Sequence, residues 1–288
     1  MNDRTAHSRK EVTHQEGTFQ GQGGLNLYYQ CWLPDGDLRA TLVIAHGLAE
    51  HGGRYSNLVD YFVPRGYAIY VVDHRGHGKS EGWRCHVDRF EQYLDDLDTF
   101  ITMVRQAHPD GRLFLAGHSM GGTIGVAYAL EHPRTLDGLI VSGVTLRPGS
   151  SVSPVLVIMA RLLSALVPRM GLTVIDASTI SKDLDVVRAY ENDPLVYRGK
   201  VSARLGAEFL KVTQRLAKRL TDIRLPILVM HGAEDRLSDP QSSRLLYGLA
   251  SSEDRTLLLY EGCYHEIFNE PERGRVLADM EAWLEAHT

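Results

Sequence analysis

Residues 112–131 read RLFLAGHSMGGTIGVAYALE, from Arg112 to Glu131. Arg112–Ala116 is an apolar run of strand length, and Thr123–Glu131 is a stretch of helix length. Between them, Gly117-His118-Ser119-Met120-Gly121 fits G-x-S-x-G. That motif needs a strand, a very tight turn and a helix, in that order. Glycines at 117 and 121 leave room where side chains would strike neighbouring backbone. Such a turn presents the Ser119 hydroxyl at the sheet edge and aims a helix N-terminus at it.

The same rhythm extends to both sides. Thr18–Leu33 reads as two short strands around the turn cluster Gly21-Gln22-Gly23-Gly24. Thr41–Ala45 (TLVIA) and Tyr67–Val72 (YAIYVV) are continuous apolar runs, as strands buried on both faces should be. Tyr55–Arg65 has helix length, and Phe90–Ala107 carries Leu94, Leu97, Ile101 and Val104 at helical spacing. Leu139–Val144, Ile227–Met230 and Thr256–Tyr260 are further strands, with helices around Gln241–Leu249 and Arg273–Ala286. Alternating strands and helices imply parallel strands with right-handed crossovers, hence a doubly wound α/β sheet. Between about Leu146 and Leu220 the rhythm breaks: no strand is evident, only helix candidates. Ser202–Leu220 places Leu205, Phe209, Val212, Leu216 and Leu220 on one stripe. A helical insertion of that length fits a cap over the sheet's C-terminal edge, where open α/β sheets bind ligands. The expected division is a flexible tail at 1–16, a core at 17–146 and 221–288, and a helical cap at 147–220.

Composition narrows the class. The 288 residues include 31 Lys and Arg against 36 Asp and Glu, a formal charge of −5. No basic excess points to nucleic acid. Hydrophobic residues at 43% and charged residues at 23% fit a globular protein and exclude collagen, coiled coil and disordered chains. Cys31, Cys85 and Cys263 are too few and too scattered for a disulfide framework or a zinc site. Met1–Glu16 is polar, with no apolar segment of a secretory leader behind it, so a cytoplasmic protein is expected. The longest apolar run, Val155–Val167, is shorter than the ~20 residues a bilayer requires. It reads as a buried cap helix or as an apolar lid that docks on lipid.

A serine hydroxyl needs a general base. In this topology the order is serine, acid, histidine. Four histidines follow Ser119. His132 ends the helix that starts at the nucleophile and so lies at the far side of the sheet. His231 precedes every plausible acid in its loop. His287 is penultimate and reads as solvated. His265 follows strand Thr256–Tyr260 in a short loop at the sheet's C-terminal edge and is the expected base. For the acid, Glu234, Asp235 and Asp239 compete in the loop after Ile227–Met230. Asp235 is favoured, three residues past Gly232, where the loop has turned. The oxyanion needs preorganised N–H donors. Met120, next after the nucleophile, and Leu48, in His46-Gly47-Leu48, are the candidates.

These residues resemble the monoacylglycerol lipase family of lysophospholipase-like serine hydrolases, within the α/β-hydrolase superfamily. The resemblance covers about residues 18–285. It is carried by His46–Tyr55 (HGLAEHGGRY), Asp73–Gly82 (DHRGHGKSEG), Gly117–Gly122 (GHSMGG), Gly232–Asp239 (GAEDRLSD) and Tyr264-His265. It implies the α/β-hydrolase fold with a cap after the sixth strand. It also implies a triad of Ser119, Asp235 and His265, and a glycerol-binding end formed by Glu50, Arg54 and Tyr190. Glu50 and Arg54 are spaced i, i+4 and can pair. The expected substrate is a monoacylglycerol or a similar single-chain lipid ester, with no cofactor and no metal. A lysophospholipase or a broad carboxylesterase would keep the same triad. A catalytically silent ligand-binding relative is the expectation from another class. Three departures stand out: Phe268 where mammalian members have a second histidine, Ser238 where they have a cysteine, and Ala49 in place of the second glycine of HGxG.

Gly78-Lys79-Ser80 ends like a phosphate loop, but Asp73 stands where the first glycine is required. His46…His51 and His74…His77 lack the carboxylate and spacing of a zinc helix.

Overall fold

The computed structural model describes residues 13–147 and 162–288. Its centre is an eight-stranded sheet in the order β1-β2-β4-β3-β5-β6-β9-β10. These strands are β1 (Thr13–Gln20), β2 (Asn26–Leu33), β3 (Ala40–Ala45), β4 (Tyr67–Val72), β5 (Leu113–His118), β6 (Gly138–Ser142), β9 (Ile227–Gly232) and β10 (Arg255–Tyr260). β1–β2 and β2–β4 run antiparallel; every other pair is parallel. The fold is that of an α/β-hydrolase.

The central strands are buried at every residue because both of their faces are covered. In β3, Val43 and Ala45 enter one core, while Ala40, Leu42 and Ile44 enter the other. In β5, Leu113 and Leu115 alternate with Phe114 and Ala116 in the same way. Each fully buried Leu, Ile or Phe contributes roughly 1.5–3 kcal/mol. One face is covered by α2 (Glu91–Ala107) and α3 (Met120–Glu131), the other by α1 (Ser56–Phe62) and the last helix. Helix α3 is buried from Met120 to Leu130. A helix apolar all round belongs inside, and its sheet contacts hold its N-terminus rigidly at the end of β5.

Two differences from the sequence expectation lie in short or polar strands. β1 begins at Thr13, inside the stretch read as tail, and its first four residues are exposed. A polar edge strand lacks the apolar alternation that betrays a half-buried one. Between β6 and β9, where no strand was expected, β7 (Gly171–Thr173) pairs antiparallel with β8 (Val201–Ser202). Strands of three and two residues are too short for a period to show.

The same segment carries α4 (Leu184–Asn192) and α5 (Ala203–Leu216); α6 (Gln241–Leu249) and α7 (Arg273–Glu285) complete the molecule. Ser202 caps α5, its hydroxyl accepting from Leu205 N–H at 3.2 Å. The apolar stripe then faces inward through Leu205, Val212 and Leu216. Glu208 accepts from Phe90 N–H at 3.2 Å and Arg215 pairs with Glu91 at 2.8 Å, fastening α5 to the start of α2. Most of the apolar run Val155–Val167 lies outside the described residues. Among the described residues, no helix is long and apolar enough to cross a membrane.

Candidate active site

β5 ends at His118 and α3 begins at Met120, leaving Ser119 alone at the turn. Its φ of 54° and ψ of −116° lie where L-residues are rarely found. Such strain persists only where the surroundings over-determine it. A Cβ on Gly117 would sit 2.4 Å from Gly121 O, and one on Gly121 would sit 2.0 Å from Ala45 O. No other residue fits either position. Ser119 N–H donates to Ser142 O at 2.8 Å, which fastens the turn to β6. Met120 is the first residue of α3, so its N–H has no carbonyl within the helix to bond.

Beside this turn, Asp235 Oδ2 accepts from His265 Nδ1 at 2.6 Å. The Asp235 side chain is fully buried. Its Oδ1 accepts the backbone N–H groups of Leu237 and Ser238 at 2.8 and 2.9 Å. Burial alone would raise its pKa, but His265 and His231, through their charge and their hydrogen bonds to the carboxylate, outweigh burial and lower it. For His265, burial opposes the imidazolium, Asp235 overrides it, and the pKa rises above the ordinary 6.5. The ring of His118 packs against His265 with centroids 4.6 Å apart. Burial, then the neighbouring His265, drives the His118 pKa well down, so that ring is neutral.

His231 was set aside on chain order, yet it shares the same carboxylate oxygen. Its Nε2 lies 3.0 Å from Asp235 Oδ2 and 3.1 Å from Ser238 O, and its Nδ1 lies 2.6 Å from Ser243 Oγ. That pattern fits one tautomer, with Nε2–H donating and Nδ1 accepting from the serine hydroxyl. His231 holds the acid and does not face the serine cavity. The competing acids have other fates: Glu234 is exposed, and Asp239 accepts from Gln241 N–H at 2.9 Å at the start of α6. His132 closes α3, away from the turn. His287 is not solvated; it stacks on Trp283 at 4.1 Å and pairs with Asp254 at 2.7 Å.

On the other side of the serine lies a second buried acid. Glu50 Oε1 accepts Gly47 N–H at 2.6 Å and the Tyr55 hydroxyl at 2.9 Å. Its Oε2 accepts Arg54 Nη1 at 2.9 Å, the i, i+4 pair expected from the spacing. Glu266 was not foreseen. It takes Arg54 in a two-pronged grip, Nη1 to Oε1 at 2.6 Å and Nη2 to Oε2 at 2.8 Å. Burial raises the Glu50 pKa; the nearby Arg54 opposes this and Glu266 adds to it. Arg54 is held charged: burial opposes its charge, but Glu266 and Glu50 outweigh burial. The Tyr190 ring covers the guanidinium at 4.8 Å.

Ser119, Met120, Leu48, His265, Glu50 and Tyr190 all line one cavity of about 280 Å³. Its remaining wall is largely apolar, with Ile175, Ile180, Val201, Leu205 and Phe209 supplied by the segment between β6 and β9. The loop carrying Leu48 is braced from that segment: Tyr197 N–H donates to Ala49 O at 2.8 Å, and His51 Nε2 lies 2.9 Å from Asp193 Oδ2. Ala49, standing where a glycine was expected, has a φ of 67°.

The motifs set aside earlier have structural duties. His46 Nε2 accepts His74 N–H at 2.9 Å and its Nδ1 donates to Gly47 O at 2.7 Å, so both ring nitrogens are committed. Ser80 donates to Asp73 O at 2.5 Å and accepts Tyr28 N–H at 2.8 Å. Phe268 is buried in the core, and Ser238 donates to Val144 O at 2.9 Å. Cys31, Cys85 and Cys263 are free and buried.

A mostly parallel sheet with a strained serine on the turn after its fifth strand marks the α/β-hydrolase class. A family model described as "Serine aminopeptidase, S33" matches residues 36–272. The chain is 39% identical to a monoacylglycerol lipase of Mycolicibacterium smegmatis, over 96% of this chain and 98% of that one. It is 33% identical to a human monoglyceride lipase, over 92% of this chain and 88% of that one. A soluble variant of a Saccharomyces cerevisiae monoglyceride lipase, solved with a substrate analog, superposes with a TM-score of 0.83 at 26% identity. That match covers 97% of this chain and 96% of the yeast one. The chain belongs to this serine hydrolase family, within the group of the monoacylglycerol lipases.

Proposed function

We propose that the chain hydrolyses monoacylglycerols to fatty acid and glycerol through an acyl-enzyme on Ser119. The observation that carries this is the 2.6 Å bond from His265 to the buried Asp235, with His265 and Ser119 on the wall of one apolar cavity. The Ser119 hydroxyl attacks the ester carbonyl carbon while His265 Nε2 takes its proton. Leu48 and Met120 N–H groups hold the oxyanion. Collapse breaks the carbonyl–oxygen bond, and the leaving glycerol oxygen receives the proton from His265. Water then attacks the acyl-enzyme by the same steps and frees the acid. Asp235 fixes the imidazole tautomer and stabilises the imidazolium. Glu50, Arg54 and Tyr190 form the end of the cavity that receives the glycerol. The described residues between β6 and β9 form a cap over the core built on the eight-stranded sheet.

The test is a substrate panel: monoolein, triolein, lysophosphatidylcholine and a chain-length series of nitrophenyl esters. Monoolein should lead. Ser119→Ala should remain folded and lose about 10⁶-fold in turnover, the scale of a nucleophile knockout. Wild-type turnover in that variant, or turnover of none of the panel by the parent, would overturn the assignment.

The cap is also the surface proposed to meet lipid. Leu162, Leu166, Val167, Met170, Val174 and Leu184 are exposed, Leu166 at 78%. Exposed large apolar side chains concentrated in one segment of a chain suit an interaction face. Sedimentation with phosphatidylcholine vesicles should carry the wild type down and leave a Leu162→Ser/Leu166→Ser variant in solution. Equal sedimentation of the two would remove this surface from the account.

A further inference from the structure

The polar end of the cavity holds two carboxylates and one guanidinium. Glu50 and Glu266 both grip Arg54, and both terminal nitrogens of Arg54 are spent on them. The three side chains are nearly closed to solvent, at 6, 7 and 9% exposure for Glu50, Glu266 and Arg54. Glu50 and Glu266 both line the serine cavity; Arg54 stands behind them, under the Tyr190 ring. Asn269 Nδ2 donates to Glu266 Oε2 at 2.9 Å, and Glu266 N–H donates to Ile180 O at 2.8 Å, so Glu266 is fixed from both ends. Behind the group remains a void of about 10 Å³, bounded by Phe268 and Asn269. That holds about one water molecule.

An alcohol leaving in this direction meets carboxylate oxygens that accept hydrogen bonds from its hydroxyl groups. A phosphate-bearing alcohol meets the same oxygens as like charges. It finds the Arg54 guanidinium already paired, with room for no more than about one water behind it. Like-charge juxtaposition in a buried site costs several kcal/mol. We propose that Glu266 is a positioning residue that sets leaving-group selectivity: by clamping Arg54 it withholds the cation from phosphate and leaves the cleft suited to a neutral polyol. This rests on the ester-hydrolase assignment above and deepens it, since a Ser–Asp–His relay alone is indifferent to the headgroup.

The experiment compares 1-oleoylglycerol with 1-oleoylglycerol 3-phosphate. The pair shares its acyl chain and ester and differs only by the phosphate. Any defect in folding or in the nucleophile cancels in the ratio of their kcat/KM values. The wild type should favour the neutral ester by about 100-fold or more, and Glu266→Gln should shrink that ratio at least about 10-fold. Glu266→Asp keeps the charge and should keep the ratio within about threefold of the wild type, which also tests the idea should the glutamine variant not fold. A wild-type ratio near one overturns the proposal. So does a ratio unmoved in Glu266→Gln while both rates drop together, or a ratio that collapses equally in Glu266→Asp. Failure of the wild type to cleave either ester would instead strike the ester-hydrolase assignment itself.

Discussion

Two buried acids flank the serine, and their surroundings push them in opposite directions. Asp235 faces two imidazoles that outweigh its burial, and its pKa falls below the ordinary 3.8. Glu50 has a guanidinium partner, but it shares that partner with Glu266, and its pKa rises above the ordinary 4.5. Proximity to a cation is therefore not enough. The count of carboxylates per cation decides whether burial or attraction wins. A carboxylate kept ionised orients a base. One whose charge is resisted stands by as a hydrogen-bonding surface.

The largest effect should come from neutralising the first acid. Asp235→Asn removes the carboxylate from His265 and presents a donor where an acceptor stood, so the tautomer is wrong. Turnover should fall about 10⁴-fold. The pH profile sharpens this. The base must be neutral to accept a proton, and the raised pKa of His265 puts the wild-type acid limb of kcat/KM above pH 6.5. Without Asp235 the residual activity should show that limb shifted to lower pH. An unshifted limb would mean that Asp235 does not act through His265.

Neutralising the second acid should do much less to the fold. Glu50→Gln keeps an oxygen for Gly47 N–H and the Tyr55 hydroxyl, turns its NH2 toward Arg54 Nη1, and leaves Arg54 paired one to one with Glu266. Its unfolding free energy should fall by about 1–3 kcal/mol at neutral pH, the cost of one mispaired buried donor. The sign with pH is opposite for the two sites. The lowered pKa of Asp235 contributes stability that is present above pH 3.8 and lost as pH falls through its folded value. The raised pKa of Glu50 contributes stability at low pH that is lost as pH rises above 4.5. Urea titrations across that range should therefore show Glu50→Gln gaining on the wild type as pH rises. A gain on acidification would place the Glu50 pKa on the wrong side.

The Asp235 side was the more legible of the two in the sequence. A strand–turn–helix flank gave Ser119 its meaning, chain order led to His265, and the place of Asp235 past the turn at Gly232 favoured it over Glu234 and Asp239. The same rule of order discarded His231, because it speaks about the base and says nothing of what steadies the acid. An i, i+4 relation to Asp235 was the available signal. On the Glu50 side, spacing suggested Glu50 with Arg54 and resemblance supplied Tyr190. Glu266 was silent: it lies 212 residues from Arg54, and no local pattern reports a contact across that distance. The sheet declared itself through doubly buried strands such as Thr41–Ala45. β7 and β8 left no trace, being too short to show a repeated alternation.

The smallest effect expected is at Ala49, on the loop that links Leu48 to Glu50. Its φ of 67° is a left-handed conformation in which an alanine Cβ costs roughly 1–2 kcal/mol. Glycine would relieve that strain. It would also free the unfolded chain, at about 0.4–1 kcal/mol, and give up a buried methyl worth about 0.8 kcal/mol. Gain and loss nearly cancel, so Ala49→Gly should lie within about 1 kcal/mol of the wild type in a urea titration. The near balance explains how alanine can occupy a glycine's place here. The loop conformation is held from outside, by Tyr197 N–H on Ala49 O and by Gly47 N–H on Glu50, and not by the residue's own preference. A stabilisation above about 2 kcal/mol in the glycine variant would mean those braces are weaker than the strain they oppose.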